Sequence, residues 1–254
     1  MLDLLDLLTH ASHPRERSLD AERDHLAIMR QAFFHHFPAE IRLGAALALF
    51  RVFAIPRLSA ILARTGAWTR TSSSRLDRTV DLLSGLIEHG YDDPHSALVL
   101  ARLNAVHGRH GLANDDMLYV LTTFVIEPAR VIDHYGRRPL RPVEREAACV
   151  FWREVGRLMG IRDIPPNFAA MVRFAHHYEA THRHAADSNR AVAEGALKAM
   201  ALLLPLPLGD IGRTALCALL DPPVRRACGL PDAPRPLAWA LARVGAARRY
   251  LPGW

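Results

Sequence analysis

The chain has 254 residues, half of them hydrophobic, and a formal net charge of +6 at pH 7. Apolar residues are spread along its whole length, which excludes a disordered chain because such a composition buries a core that offsets the entropy of ordering. The basic residues are scattered rather than gathered into a run, so the excess of positive charge does not indicate a nucleic-acid partner.

The three cysteines form no CxxC pair. This argues against a disulfide framework or a zinc site and predicts a reducing, cytoplasmic location. The longest apolar stretch, 41–63, is interrupted by arginines and a proline. It predicts a buried core helix rather than an uninterrupted membrane span, and it leaves peripheral contact with a membrane open.

Apolar residues recur at three- and four-residue spacing, the period of an amphipathic helix, along most of the chain. This spacing predicts helices over 20–37, 41–53, 56–65, 75–89, 94–107, 114–134, 142–159, 167–185, 189–204, 209–220 and 234–250. Alternating apolar and polar residues bounded by turn residues, the pattern of a strand, are absent from the sequence. The predicted fold is all-α, a single compact multi-helix domain with a buried cofactor or substrate pocket between helices.

Helix-terminating residues support these segments. Asn114, Asp115 and Asp116 predict an N-cap followed by an acidic first turn. Pro142 suits a first helical position, with Glu144 in the same turn. Glycines that suit helix ends follow several of the segments: Gly90, Gly108, Gly111, Gly136 and Gly160.

Motifs of three large enzyme classes are missing. No GxSxG, GxGxxG or GxxxxGK[ST] pattern occurs, which argues against an α/β-hydrolase, a dinucleotide-dependent enzyme and a P-loop NTPase. No internal repeat or low-complexity linker divides the chain.

His107 is the first polar residue of interest. On a helix over 94–107 it shares one face with Leu103 and Asn104, because residues three and four apart return to nearly the same direction. An imidazole presented from an apolar wall is a good iron ligand. A core histidine with satisfied hydrogen bonds explains the same spacing.

Glu127 interrupts the apolar run of the helix over 114–134. A buried ionised carboxylate must be paired or must bind a metal. Pro128 removes a helical hydrogen bond beside it and is expected to bend the helix. A structural salt bridge from Glu127 to Arg102 or Arg130 is the alternative to a functional role.

Glu179 and His182 have the Glu-x-x-His spacing by which helix bundles offer two ligands to one metal. A second pair of this kind occurs near the amino terminus. A di-iron site also needs carboxylates from other helices, for which Glu127 and Glu144 are candidates. A single pair is common by chance in a chain with 14 histidines.

Five fragments together resemble one family: FRVFAIPRLSAIL (50–62), RLDRTVDLL (75–83), RLNAVHGRHGLANDDMLYVLTTFVIEP (102–128), FWREVGRLMGIRDIP (151–165) and YEATHRHAADSNR (178–190). They look like the bacterial MpaB-like subgroup of the family that contains the MpaB-type and rubber oxygenases. The resemblance implies an all-helical catalytic domain. From the rubber-oxygenase branch it implies a haem b that activates dioxygen to cleave carbon–carbon double bonds of isoprenoid chains.

The sequence departs from that branch at two positions. The lysine that rubber oxygenases place near the haem has no counterpart in 94–107, and their proximal histidine falls in MLYVLTTF, where this chain has Leu121. The site residues predicted here are His107 and His182 as iron ligands, Arg102, Arg130 and Asn189 as further cofactor contacts, and Glu127 and Asn104 as catalytic residues.

The resemblance therefore predicts a haem b-dependent oxygenase that uses dioxygen on a hydrophobic, isoprenoid-like or lipid-like small molecule. Two alternatives stay open: a non-haem iron or di-iron oxygenase with Glu and His ligands, and a non-catalytic lipid-binding or membrane-peripheral helical protein. We expect three parts: an N-terminal helical extension (1–40), a catalytic core (41–220) and a basic C-terminal helical tail packed on the core (221–254).

Overall fold

The computed structural model describes residues 19–66, 68, 72–203 and 209–248. Twelve α-helices follow one another in these ranges: α1 (Ala21–Arg30), α2 (Pro38–Phe53), α3 (Pro56–Thr65), α4 (Ser72–His89), α5 (Pro94–Gly108), α6 (Asn114–Tyr135), α7 (Pro142–Leu158), α8 (Phe168–His182), α9 (Asp187–Leu203), α10 (Gly209–Leu219), α11 (Pro222–Ala227) and α12 (Arg235–Arg248). No strand occurs in the described ranges. The predicted all-α, single-domain fold is confirmed.

Most helix boundaries lie within a few residues of the predicted ones, and α3 begins and ends where its periodicity places it. The predicted segment 20–37 consists of α1 and a π-helical turn, Gln31–His36. The turn ends at Phe37, whose backbone leaves the helical region because Pro38 follows it. The sequence does not predict α11, since its six residues are too few to show a helical period.

The start of α6 differs from the prediction. Asn114 is the first helical residue, and Ala113 occupies the N-cap position. The side chain of Asn114 instead bonds the backbone of Arg162: its Nδ2 donates to the carbonyl oxygen at 3.2 Å, and its Oδ1 accepts from the N–H at 2.8 Å. Asp116, in the first turn of α6, accepts a hydrogen bond of 3.2 Å from the backbone N–H of Ala113, the N-cap residue. Pro142 begins α7 as predicted.

Helices α2 and α6 pack against each other and meet at Gly44 and Pro128. A Cβ added at Gly44 would lie 2.3 Å from the Cα of Pro128, a separation that real Cβ atoms do not show. The approach of the two backbones therefore requires a glycine. Although Pro128 lacks an N–H, α6 continues through it as one helix. This contact holds Glu127, the neighbour of Pro128, beside α2.

Two main hydrophobic cores form around these helices. One joins α2 to α9, α10 and α11 around Phe50, Phe53 and Leu197. The other joins α1, α4, α5, α6 and α7 around Phe151 and Trp152. Helix α1 packs along α7, so this part of the predicted N-terminal extension lies against the core. The predicted division at residues 40 and 220 stays a prediction.

The apolar stretch 41–63 forms α2 and α3. Among the described residues no single helix is long and apolar enough to cross a membrane. α2 and α3 meet the criteria of length and composition only as a pair, which is bent by 102°.

We expect Gly44→Ala to destabilise the fold by about 1–3 kcal/mol or more, because the added methyl group overlaps the backbone of α6 and forces it away from α2. The free energy of unfolding in urea measures the effect. Gly85→Ala in α4 is the matched control, since no atom lies within 4 Å of its added Cβ. Relief of glycine's helix penalty should make the control more stable by about 0.5–1 kcal/mol. Equal stabilities of the two variants would contradict the assigned contact.

Candidate functional site

Arg51 of α2 lies among three buried or partly buried carboxylates. Its Nε donates to Oε1 of Glu127, its Nη1 donates to Oε1 of Glu179 at 2.8 Å, and its Nη2 donates to Oδ2 of Asp221. The three acids come from α6, from α8 and from the residue before α11. One guanidinium therefore ties together segments that are far apart in the sequence.

Two more arginines complete the group. Arg130 donates Nη2 to Oε2 of Glu127 at 2.7 Å and Nη1 to Oδ1 of Asp221, and Arg183 donates to Oε2 of Glu179. We call these six residues the Arg51 cluster: Arg51, Arg130, Arg183, Glu127, Glu179 and Asp221. Every carboxylate oxygen in the Arg51 cluster accepts a hydrogen bond from an arginine, and its charges are balanced at three positive and three negative.

The charged forms of two members of the Arg51 cluster, Asp221 and Arg51, are stabilised by their partners. Burial by itself would raise the pKa of Asp221, but Arg130 and Arg51 outweigh it and hold that pKa below its usual value. Burial likewise opposes the charge of Arg51, but the acids around it raise the pKa of the guanidinium. Glu127, whose exposed fraction is 0 %, is paired with two arginines, Arg51 and Arg130.

A cavity of about 390 Å³ lies beside the Arg51 cluster, bounded by α6, α7 and α8. We call it the α6–α8 cavity. Arg51, Arg130 and Glu179 form its charged wall, and Ile126, Phe168, Val172 and Ala175 form its apolar wall. Its volume is that of a small-molecule site.

Arg145 of α7 adds a second charged group to the α6–α8 cavity. Its Nη2 donates to Oδ2 of Asp133 at 2.7 Å, and its guanidinium lies 4.7 Å from the ring centre of Phe168. Two histidines, His134 of α6 and His176 of α8, line the same cavity and are exposed. The cavity is therefore open to solvent beside two imidazoles.

Comparison with known proteins assigns the chain to a family. A family model described as "ER-bound oxygenase mpaB/B'/Rubber oxygenase, catalytic domain" matches residues 40–250. The chain belongs to this family. The "ER-bound oxygenase mpaB'" of Penicillium brevicompactum is 27% identical over 235 residues, which are 85% of this chain and 55% of that protein. The "ER-bound oxygenase mpaB" of Penicillium roqueforti (strain FM164) is 27% identical over 209 residues, 75% of this chain and 70% of that protein.

The chain thus spans about half of the length of the first relative. The matched range 40–250 contains every residue that lines the α6–α8 cavity. The relatives are fungal, and the bacterial subgroup named in the sequence comparison stays a prediction.

Two of the predicted site residues belong to the Arg51 cluster. Glu127 and Arg130 form the predicted salt bridge, and Arg130 also lines the α6–α8 cavity. Arg102 is exposed on α5 and is not the partner in that bridge. The decisive partner is Arg51, one of the arginines that interrupt the apolar stretch 41–63 in the sequence. A charged residue on the core-facing side of α2 is the signal that identifies it.

The predicted residues of α5 lie elsewhere. This helix packs mainly on α4, and Asn104 donates its Nδ2 to the carbonyl oxygen of Leu158 at 3.0 Å, which ties α5 to the end of α7. His107 is half-buried near the end of α5. Among the described residues, neither His107 nor Glu127 lines the α6–α8 cavity. A helical period fixes a residue's face but not the neighbouring helix.

The predicted residues at the end of α8 and the start of α9 make structural contacts. Nδ1 of His182 bonds the carbonyl oxygen of Tyr178 at 2.9 Å. Asn189 is buried and donates Nδ2 to the carbonyl oxygens of His184 and Ala227, at 2.8 and 2.9 Å. Its Oδ1 accepts the hydroxyl of Ser59 at 2.6 Å, so Asn189 joins α3, α9 and α11. Their predicted roles toward a cofactor stay predictions.

The carboxylates do not suit a carboxylate-bound iron. Within the described residues no group of three or more His, Cys, Asp or Glu side chains is arranged to hold a metal ion. Glu127 and Glu179 are held by the Arg51 cluster, and Glu144 accepts two hydrogen bonds of 2.7 Å from Arg138 and one of 3.0 Å from Arg141. A metal would have to displace an arginine from each of these acids.

The donor set of the α6–α8 cavity suits a haem better. A haem needs an axial imidazole, cations for its propionates and apolar walls. His134 and His176 offer the imidazole. Arg145 offers the cation, since it pairs with one acid, Asp133, whereas Arg51 pairs with three acids and Arg130 with two. At the position that the resemblance gives to a proximal histidine stands Leu121, only 4 % exposed and packed on Gly156. A haem ligand therefore has to come from another position in the chain.

We expect Arg51→Met to destabilise the fold by about 3–5 kcal/mol, because it leaves the carboxylates of the cluster buried with too few cations. Thermal and urea unfolding measure the change. Arg190→Met is the control, since Arg190 makes one exposed ion pair with Glu194 and should cost less than about 1 kcal/mol. A loss of similar size in both variants would show that the cluster contributes no more than a surface pair.

The acid stability of the fold depends on Glu144. Burial opposes its charge, but hydrogen bonds from Arg138 and Arg141 lower its pKa from 4.5 to about 2. A depressed pKa contributes stability that is present above about pH 4.5 and is lost as the pH falls toward 2. We therefore expect Glu144→Gln to be less stable than the wild type at pH 7, with a difference that shrinks on acidification. Unfolding free energies measured across this range test it, and a pH-independent difference would contradict it.

Proposed function

We propose that this chain is an oxygenase that uses dioxygen on a hydrophobic small molecule held in the α6–α8 cavity. The observation that carries the proposal is that the family match over 40–250 includes every lining residue of a cavity of small-molecule size. The relatives bear the name of oxygenases. The apolar wall of Ile126, Phe168 and Val172 suits an isoprenoid-like or lipid-like chain.

Haem b is the proposed cofactor. His176 or His134 would supply the axial imidazole, and Arg145 would bind a propionate by a charge-assisted hydrogen bond. When bound, the haem supplies the binding and activation of dioxygen. The engagement of Glu127, Glu179 and the other acids by arginines favours this cofactor over a non-haem iron centre.

The residues of the chain would act by holding and shaping the site. The Arg51 cluster fixes α2, α6 and α8 around the α6–α8 cavity through contacts made by buried charges. The apolar wall excludes water from the part of the cavity that would hold the substrate. Arg145, stacked on Phe168 and paired with Asp133, is held in place before any ligand binds.

Peripheral contact with a membrane is part of the proposal. Trp239 of α12 is 62 % exposed, and the guanidinium of Arg243 lies 4.7 Å from the centre of its ring. An exposed tryptophan among arginines suits the interface of an anionic membrane. The relatives are named as ER-bound proteins. The cytoplasmic location of this chain stays a prediction.

The absorption spectrum tests the cofactor and its ligand. Chain purified from cells supplied with iron and a haem precursor should show a Soret band. We expect His176→Ala or His134→Ala to remove or shift that band, because it deletes a coordinate bond to the iron. His177→Ala is the matched control, since His177 is exposed beside His176 and does not line the cavity. Dioxygen uptake with an isoprenoid alkene measures the activity.

Two further variants, His107→Ala and His182→Ala, test the ligands predicted from the sequence. If one of them changes the spectrum while His176→Ala and His134→Ala leave it unchanged, that residue is the iron ligand. Protein that holds iron but shows no Soret band would favour a non-haem centre. Protein that takes up neither iron nor haem would contradict the proposed cofactor.

A further inference from the structure

Three aromatic rings of α6 and α8 stack in one column. The ring centres of Tyr119 and Tyr178 are 4.4 Å apart with an angle of 15° between their planes, and those of Tyr178 and His182 are 4.3 Å apart with an angle of 22°. Tyr119 is completely buried, Tyr178 is 4 % exposed and His182 is exposed. We call these residues the ring column. It runs from the surface into the core in unbroken ring contact.

Each phenol of the ring column donates to a carboxylate. Tyr119 donates to Oε1 of Glu179 at 2.9 Å, and Tyr178 donates to Oδ1 of Asp116 at 2.5 Å. Glu179 lines the α6–α8 cavity. The hydroxyl of Tyr119 also donates to the backbone oxygen of Arg51, another residue of the cavity wall, at 3.3 Å. The inner end of the column is therefore one side chain away from the cavity.

This geometry is that of a redox-active tyrosine pair. Loss of one electron turns a phenol into a very strong acid, so oxidation is easiest where a base already accepts the hydroxyl hydrogen bond. Both tyrosines meet that condition. Hydrogen-bond satisfaction alone explains two buried hydroxyls, but it does not require their rings to stack with each other and with a surface histidine.

We propose that the ring column of Tyr119, Tyr178 and His182 carries single electrons between the protein surface and the α6–α8 cavity. Its use in oxygen chemistry rests on the proposed function, whereas its capacity to carry an electron does not. A column of this kind would supply reducing equivalents to the cavity, or would draw a stray oxidising equivalent away from it.

Each step of electron transfer along the ring column is matched by a proton transfer to or from a carboxylate. A one-electron oxidant formed in the cavity from dioxygen takes an electron from Tyr119, whose proton moves to Glu179. Tyr178 then reduces the Tyr119 radical, which regains its proton from Glu179, while the proton of Tyr178 moves to Asp116. An enediol or thiol reductant beside His182 returns one electron to Tyr178, and Asp116 returns the proton. One electron passes from reductant to oxidant, and both tyrosines end unchanged.

Photo-oxidation tests the column without haem, substrate or dioxygen chemistry. The full chain is illuminated with a ruthenium tris-bipyridine sensitiser and persulfate, then frozen for electron paramagnetic resonance. The background variant carries Tyr91→Phe, Tyr135→Phe and Tyr250→Phe, so that Tyr119 and Tyr178 are the two tyrosines that remain in the chain. Ascorbate added after illumination measures how readily a radical is reached from solution.

We expect a neutral tyrosyl radical in this background and loss of that signal on Tyr178→Phe, because Tyr119 is completely buried and stacks on Tyr178, its neighbour toward the surface. Phenylalanine keeps the ring contact, so the loss reports the missing hydroxyl rather than altered packing. Tyr119→Phe should leave a radical on Tyr178 that ascorbate removes faster than in the background. Circular dichroism and unfolding curves check that each variant is folded.

A half-buried tyrosine serves as the matched control. Tyr91 also stacks on a histidine, His25, with ring centres 5.9 Å apart, but its other ring neighbour is Phe151, which carries no hydroxyl. A chain that keeps Tyr91 alone should give a radical that ascorbate removes at once. A full radical yield in the Tyr178→Phe variant, or no tyrosyl radical in the background, would overturn the proposal. Because the assay contains no cofactor, either result is distinct from failure of the proposed oxygenase activity.

Discussion

The guanidinium of Arg51 is the group on which the arrangement around the cavity depends. It bonds acids that lie 76, 128 and 170 residues away along the chain, and so joins α2 to α6, to α8 and to the segment before α11. Burying these charges costs free energy that only complete pairing offsets. Arg130 and Arg183 provide that pairing. Gly44 adds the steric condition, since it lets α2 come close enough to α6 for the contact with Glu127.

Full pairing also determines which groups are left for chemistry. An acid whose oxygens all accept arginine hydrogen bonds has no oxygen free to bind a metal ion, so the Arg51 cluster forms a charged wall of the cavity rather than a metal site. The imidazoles of His134 and His176, the guanidinium of Arg145 and the apolar side chains remain. These groups suit a planar, anionic cofactor or an amphipathic small molecule rather than a bare metal ion.

The ring column and the Arg51 cluster meet at Glu179. This carboxylate accepts bonds from Arg51, from Arg183 and from the hydroxyl of Tyr119, while it lines the cavity. The stack of Tyr119 on Tyr178 holds α6 against α8. One junction therefore sets the distance between the two helices and links the cavity wall to the rings that reach the surface.

The sequence by itself determined the all-α class, most helix boundaries and the family, because helical periods and motif fragments are local. It also showed that Glu127 needs a partner and offered Arg102 or Arg130, of which Arg130, three residues away, is the one that pairs with it. Only the tertiary structure identified Arg51 and Asp221 and put His134 and His176, rather than His107, at the cavity. The reason is physical: a helical period fixes which face of one helix a residue occupies, but the facing helix depends on packing between segments far apart in the chain.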